Sequence, residues 1–597
     1  MILSKNFIKY YFKYGLYFLV GIAILVVINW IQLEIPRLIG LIIDELTPAD
    51  VPEPMAPNVT LIEASIRTIA IIALVITFGR FIWRYTIFGA SRRIEYELRN
   101  IMFLKATRLP QSFYSHEKVG GMMTYFINDL EAIRMAFGPG VLMLVDGLVL
   151  GSFAVYRMAS LQPVMTLFAA IPMLILMVVM VFLSKTMQLK FKKRQEAFEK
   201  LSDFTQENFS GITVVKAFVR ELKEAMLFRL KNEELYDKNI KFVRYLVVIQ
   251  LSISIAINMV VLLIVLFGSI LVLRPGITGL TSGQLTEYIA YFFTLVWPVM
   301  AISRFIYITS QAKASAKRID RFLDAPIEVE DHKDVIKDVD LTGHIEIKNL
   351  SFQYPDGDDL VLKDISFEIK PGQMVGILGR TGSGKSSMVD LLLRIYNLNR
   401  GQLFIDGYDI MDLPIQSIRD TIGYVPQDNF LFSDTITNNI GFAFDEISKE
   451  DVIKAAKLAD VYENVTEFKD QFETMLGERG VTVSGGQKQR LSIARALAKD
   501  PKVLILDDSV SAVDTKTEEA IIKNLHEVRK GKTTIFIAHR ISTVKKMDVI
   551  ILLEQGKLVA KGSHKELMKT CELYQEMVRR QTLENLVEGA VNTNEGL

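Results

Sequence analysis

Six stretches between residues 14 and 303 carry few or no charges, and each is long enough to cross ~30 Å of hydrocarbon at ~1.5 Å per helical residue. They are 14–33, 61–79, 135–156, 158–184, 245–273 and 275–303. Glu63 and Arg67 fall near the start of the second, Asp146 interrupts the third, and Glu287 lies early in the sixth. Apolar helical patterns run on as charged sequence over 80–109, 185–209 and 222–241, beyond what a bilayer covers, so these extensions must project into water. Half of all residues are hydrophobic, and the mean hydropathy is +0.26, as expected of a membrane protein of this length.

Lys5, Lys9 and Lys13 ahead of the first run resemble a secretory signal, but the run is too long for one and no small-residue cleavage site follows, so the segment is retained. Segments 47–60, 157–163 and 274–284 contain only Arg157 and Arg274, while the alternate connections are rich in Lys and Arg. By that asymmetry the N-terminus is cytoplasmic, and after an even number of spans so is everything beyond Ser303. The near-neutral total hides a split: residues 1–325 hold 35 Lys and Arg against 24 Asp and Glu, and the remainder 34 against 44. This is not the charge distribution of a nucleic-acid binder. A single cysteine, Cys571, excludes an intrachain disulfide and a Cys-based zinc site.

From about Gly343 short β-rich runs alternate with helical stretches, the pattern of an α/β domain. Gly379, Arg380, Thr381, Gly382, Ser383, Gly384, Lys385 and Ser386 follow an apolar strand, 374–378, and precede an apolar helix that opens at Ser387. Such a loop cradles phosphates on backbone N–H groups and a helix N-terminus, with the lysine reaching the β and γ phosphates and the serine on Mg²⁺. Alone it leaves kinases, GTPases and many ATPases open. Val503 to Leu506 then form a buried-strand pattern ending in Asp507, as expected of the Mg²⁺-side acid of a P-loop NTPase. Between them Val483, Ser484, Gly485, Gly486 and Gln487 open a long helical pattern, a second anion site for which one chain's single P-loop has no obvious need.

This ordered set resembles the ATP-binding cassette (ABC) family, and with six preceding spans a half-transporter of the exporter type, over nearly the whole chain. The resemblance rests on Tyr354, where the family stacks adenine, the P-loop 379–386, Gln427 in YVPQD, Gly477-Glu-Arg-Gly480, the signature 483–487, Asp507, Ser511-Ala-Val-Asp514 and His539 in IAHR. It implies an all-α six-helix transmembrane domain at 1–311, a linker at 312–341, an α/β P-loop nucleotide-binding domain at 342–581 and a polar tail at 582–597, expected to be disordered. It also implies ATP and Mg²⁺ as cofactors, with Ser386, Gln427 and Asp507 toward the metal, His539 toward the γ-phosphate and water, and Ser484 and the amides after it toward ATP held by a partner's P-loop. Regions 120–137 and 211–221 resemble the coupling helices that carry motion to a nucleotide domain.

Apart from Val483, where the family usually has Leu, one position departs from the family. Members active in hydrolysis carry Glu immediately after the strand-ending Asp, and here Asp508 stands there. Removing one methylene withdraws the carboxylate by ~1.5 Å, and ~1 Å of misplacement at a reacting centre costs on the order of 10²-fold. The resemblance is then to the degenerate-site subunit of heterodimeric bacterial multidrug exporters, which binds ATP, hydrolyses it slowly and lends its signature to a partner carrying the catalytic Glu. A homodimer in which Asp508 serves as base is the alternative, as are a lipid or peptide exporter and an ATP-regulated protein that does not pump. For the cargo, Asp146 is either a counter-charge for cationic compounds, a protonated carboxyl or a group bonded to a neighbouring helix. Met143, Met165, Met173, Met177 and Met180, with Tyr288, Tyr291, Phe292 and Trp297, suit a pliable hydrophobic cavity for amphiphilic substrates, and equally lipid contact or helix packing.

Overall fold

A computed structural model of the chain describes residues 4–47, 57–117, 119–273, 279–336, 339–477, 480, 482–509 and 515–594. Contacts divide it into two units, residues 1–103 with 120–324, and residues 104–119 with 325–597.

The first unit is helical: α1 (Lys5–Lys13), α2 (Gly15–Gln32), α3 (Glu34–Leu46), α4 (Val59–Trp83) and α5 (Gly89–Arg108), then, beyond α6 (Gln111–His116), α7 (Val119–Thr124), α8 (Leu130–Met135), α9 (Val141–Val145), α10 (Gly151–Leu161), α11 (Pro163–Ser210), α12 (Ile212–Ala217), α13 (Glu221–Leu273) and α14 (Ser282–Asp324). Single π turns join α4 to α5 and link α7 to α10 at Tyr125–Asp129, Ala136–Gly140 and Asp146–Leu150. Among the described residues five helical runs are long and apolar enough to span a membrane: Gly15–Leu46, Val59–Arg108, Gly120–Leu161, Glu221–Leu273 and Ser282–Asp324. The fourth predicted span falls on α11, where Met173, Met177 and Met180 lie outside the residues whose side chains are described. At 53 residues α13 extends about 80 Å, well past a bilayer. It packs along α11, with Phe168 stacked on Phe267 at 5.7 Å and Phe191 against Phe242 at 5.9 Å.

Three expectations are corrected here. The break between the third and fourth spans is at Gln162–Pro163, not Arg157: a proline ends a helix, whereas Arg157 stays inside one by pairing with Glu34 and stacking on Trp30 at 4.8 Å. Helix α14 continues to Asp324 through the start of the expected linker, because Ala312, Ser315, Ala316, Ile319 and Phe322 recur at helical spacing and are buried. Region 120–137 belongs to the third span, with Leu130, Ile133 and Phe137 fully buried. A short helix after Pro110, α6, lies in the second unit, where Ser112 Oγ donates to Glu328 at 3.3 Å.

Backbones come closest where α3 meets α14. A Cβ on Gly283 would lie 2.0 Å from the Gly40 carbonyl oxygen, so both positions require glycine. Asp44 seals the junction, accepting from the Thr281 hydroxyl and the Gly283 amide, both at 2.6 Å.

The second unit holds strands β1 (Ile345–Phe352), β2 (Leu362–Ile369), β3 (Met374–Gly379), β4 (Leu403–Ile405), β5 (Tyr408–Asp409), β6 (Ile422–Val425), β7 (Val503–Asp507), β8 (Thr533–Ala538), β9 (Val549–Glu554) and β10 (Lys557–Gly562). Its further helices are α15 (Lys385–Leu392), α16 (Ile415–Thr421), α17 (Ile436–Ile440), α18 (Lys449–Leu458), α19 (Tyr462–Thr466), α20 (Gly485–Ala498), α21 (Thr515–Val528), α22 (Ile541–Val544), α23 (His564–Thr570) and α24 (Glu572–Asn594). An antiparallel sheet runs β2-β1-β4-β5, and a second runs β10-β9-β3-β8-β7-β6, parallel from β9 to β6. Every residue of β3, β7 and β8 is buried, which explains their unbroken apolar runs. Residues 328–331 are strapped to the end of α15 by Arg394, fully buried, which donates to Asp331 at 3.2 Å and to the Glu330 carbonyl at 3.0 Å. The tail expected to be disordered continues α24 to Asn594, since it lacks proline and carries good helix formers such as Leu583, Glu584 and Leu586.

Candidate nucleotide site

The parallel sheet brings the separated motifs to one edge. In the order β3-β8-β7-β6, the carboxyl ends of the strands carry in turn the P-loop, His539, Asp507 with Asp508, and Gln427 two residues past Val425. Register fixes the alignment: Leu378 pairs with Ala538, Ile537 with Asp507, and Leu506 with Val425. Ligands of open α/β sheets bind at this edge.

Gly382 and Gly384, at φ +81° and +91°, let the loop turn into α15 in a backbone that other residues resist. A Cβ on Gly384 would also meet Leu362 at 2.5 Å. Lys385 is 5% exposed and folds its ammonium onto the Gly379 and Arg380 carbonyls, each at 2.9 Å, with Ser383 Oγ at 3.4 Å. Burial lowers the lysine pKa against the pull of Asp507 and Asp508. Burial raises that of Asp507, and Asp508 adds to the rise, while a hydrogen bond from Ser386, Lys385 and His539 oppose it. Three carboxylate, ammonium and imidazole groups that are far apart in sequence therefore share one field with Ser386 and Asp508. A hydroxyl joined to a buried carboxylate beside a phosphate cradle is a donor set that suits a divalent cation bound mainly through nucleotide oxygens.

Asp508 follows β7 at φ +43°, held by its amide to the Ile537 carbonyl at 2.9 Å and by Gln489 Nε2 to its carbonyl at 3.1 Å. Asp tolerates that left-handed conformation better than most residues. His539 and Gln427 are exposed on the same edge. Tyr354 reaches the P-loop helix, with its hydroxyl 2.7 Å from Ser387 Oγ and its ring edge-on to Tyr396 at 5.1 Å. Beside it Asp390, which the sequence reading passed over, has its carboxyl pushed up to about 6, chiefly by burial and then by Asp507. Its place one helical turn beyond Ser386 was the available signal.

The signature forms the N-terminus of α20. Ser484 caps it by accepting from the Gln487 amide at 3.3 Å, and Gln487 Oε1 accepts from the Ser484 amide at 3.0 Å, leaving Ser484 and Gly485 exposed. None of the described hydrogen bonds joins 483–487 to the P-loop of the same chain. The segments 478–479 and 511–514 of the two remaining motifs lie outside the described residues.

Comparison with known proteins accords with this geometry. The family model "ABC transporter transmembrane region" matches residues 18–299, and "ABC transporter" matches 362–511. The chain is 34% identical over 580 residues to the multidrug resistance-like ATP-binding protein MdlA of Escherichia coli (strain K12), covering 97% of this chain and 96% of that protein. It belongs to the ABC transporter family. This ABC transporter chain is also 33% identical to the probable multidrug resistance ABC transporter ATP-binding/permease protein YheI of Bacillus subtilis (strain 168), over 97% and 98% of the two chains. Among solved structures, a bacterial Atm1-family ABC exporter with ATP bound superposes with a TM-score of 0.73 at 25% identity, covering 97% of this chain and 99% of that one. An ABC domain binds ATP.

Proposed function

We propose that this chain is one half of an ATP-driven exporter of amphiphilic, hydrophobic compounds in the cytoplasmic membrane, and that it works beside a second half-transporter carrying a catalytic Glu. The observation that carries this is Asp508. The groups that bind nucleotide converge, with Lys385, Ser386 and Asp507 together, yet the side chain at the position of the water-activating acid is one methylene short. ATP and Mg²⁺ would be held by the P-loop, Ser386, Asp507 and Gln427, and the Mg²⁺-bound nucleotide supplies the phosphoryl group whose hydrolysis drives the cycle. Asp508, with His539 beside it, turns that site over slowly.

The exposed signature supports a composite site shared with a partner, since among the described residues no hydrogen bond joins it to its own P-loop. Exposed apolar groups on and after α12, Ile212, Val214, Phe218 and Val219, support a partner surface in the cytoplasm, as do the exposed rings of Phe430, Phe432 and Phe442 on the nucleotide domain. The names of MdlA and YheI support a multidrug cargo. The distribution of basic residues supports an N-terminus and nucleotide domain inside the cell.

The test is Mg²⁺-dependent ATPase turnover of the purified chain in lipid, beside Asp508→Glu. Near-silence of the native chain with turnover raised at least tenfold in Asp508→Glu is the expected result, although the longer side chain must accept the left-handed backbone. Brisk turnover by the native chain sinks the slow-site proposal and favours a homodimer.

A further inference from the structure

Asp146 is 9% exposed in the middle of the third span, where an unneutralised charge is expensive. Each of its oxygens receives one N–H from a different helix: Asn29 Nδ2 of α2 at 3.2 Å, and Trp297 Nε1 of α14 at 3.0 Å. Each oxygen of the carboxyl thus accepts from its own helix neighbour. Both donors are neutral, so they orient the charge without cancelling it. Asp129, buried in the same unit, is matched by a cation, Arg318, while Glu287, also buried, accepts from the Tyr291 hydroxyl at 2.8 Å. Among the described residues no basic side chain forms an ion pair with Asp146.

Its neighbour Trp297 is 44% exposed, and Phe293 and Met300, at 52% and 55%, lie one turn before and after it on the same face of α14. The carboxylate at the indole edge pushes electron density into the ring, which strengthens the attraction of its exposed face for a cation. We propose that Asp146 and Trp297 form a site for an organic cation with a lipophilic body, the ring face taking the charged centre, Phe293 and Met300 the apolar groups, and Asp146 supplying the missing counter-charge. The site rests on the exporter reading above and names its substrate class. Asn29 is then a positioning residue, holding the carboxylate toward the indole.

The experiment uses the full chain in lipid nanodiscs and measures equilibrium binding of tetraphenylphosphonium, a lipophilic cation, and of triphenylphosphine oxide, a neutral relative of similar shape. Asp146→Asn keeps the polar shape and removes the charge, and Trp297→Phe keeps a ring and the charge. Tetraphenylphosphonium affinity falls tenfold or more in the first variant and severalfold in the second, while the phosphine oxide changes less than twofold in either. Equal loss for both probes, or no loss, overturns the proposal and leaves Asp146 a structural cross-link among three helices. A native chain that binds tetraphenylphosphonium no better than empty nanodiscs overturns it too. Binding of a fluorescent ATP analogue in the same samples separates the two readings: retained nucleotide binding without cation selectivity defeats this site alone, and loss of nucleotide binding in the native chain defeats the exporter reading.

Discussion

The pair of Asp129 and Arg318 ties the third span to α14 with an asymmetry that sets the outcome of mutation. Asp129 is 2% exposed and accepts from Ser315 Oγ at 2.8 Å and Arg318 Nε at 2.9 Å, with Arg318 Nη2 as a further donor, whereas the Arg318 side chain is 47% exposed. Arg318→Met strands a buried carboxylate with one hydroxyl partner, which costs about 3–5 kcal/mol. Asp129→Asn removes the charge, keeps an acceptor for Ser315 and lets the guanidinium turn to water, at a cost of about 1–2 kcal/mol. In the double variant the stranded charge is gone, so it is more stable than Arg318→Met alone and the cycle shows a coupling of at least ~2 kcal/mol. The assay is the temperature at which each variant, in the same detergent, loses its monodisperse peak in fluorescence-detected size exclusion. Asp129→Asn falling as far as Arg318→Met, or strict additivity, would refute an account built on which partner is buried.

Further outcomes are expected elsewhere. Gly283→Ala forces a methyl onto the Gly40 carbonyl, and because that atom is backbone the helices must separate. The variant is expected to lose about 3 kcal/mol or more and to be recovered in low yield, whereas Gly401→Ala, with nothing within 4 Å, changes yield little apart from the strain of its positive φ. The Asp390 carboxyl, raised above its ordinary value, favours the folded state when protonated, so its contribution is present at low pH and lost as pH rises from about 4 through about 6. Nucleotide-free Asp390→Asn is accordingly more stable than the native chain at pH 7 and gains nothing at pH 4, read as the unfolding midpoint at each pH.

Much of the nucleotide site was legible because its chemistry dictates residue types at fixed local spacing: a loop that wraps phosphates needs the glycines around Lys385, and a buried strand needs the apolar run before Asp507. What brings those segments together was not legible. That β8 sits between β3 and β7, placing His539 between the P-loop and Asp508, is a long-range pairing with no local signal. The membrane spans were visible as apolar runs, but charge was an unreliable marker of their ends, since Arg157 is absorbed by Glu34 and Trp30 while Pro163 makes the break. Asp146 stood out as a charge in the wrong solvent, and only the fold shows that Asn29 and Trp297 share it. Of the π turns of the third span, one holds Pro139, a local signal for an irregular helix, and another begins at Asp146 itself.

The junction of Gly40 and Gly283 bears on how such a domain can open. At this point the backbones leave no room for a methyl, and Asp44 is bonded across, so α3 and α14 have little freedom to slide past one another here. These two helices make one welded plank, and any parting of the bundle must run along seams cushioned by flexible side chains. Two residues that have no side chain at all thus hold two helices together as one piece.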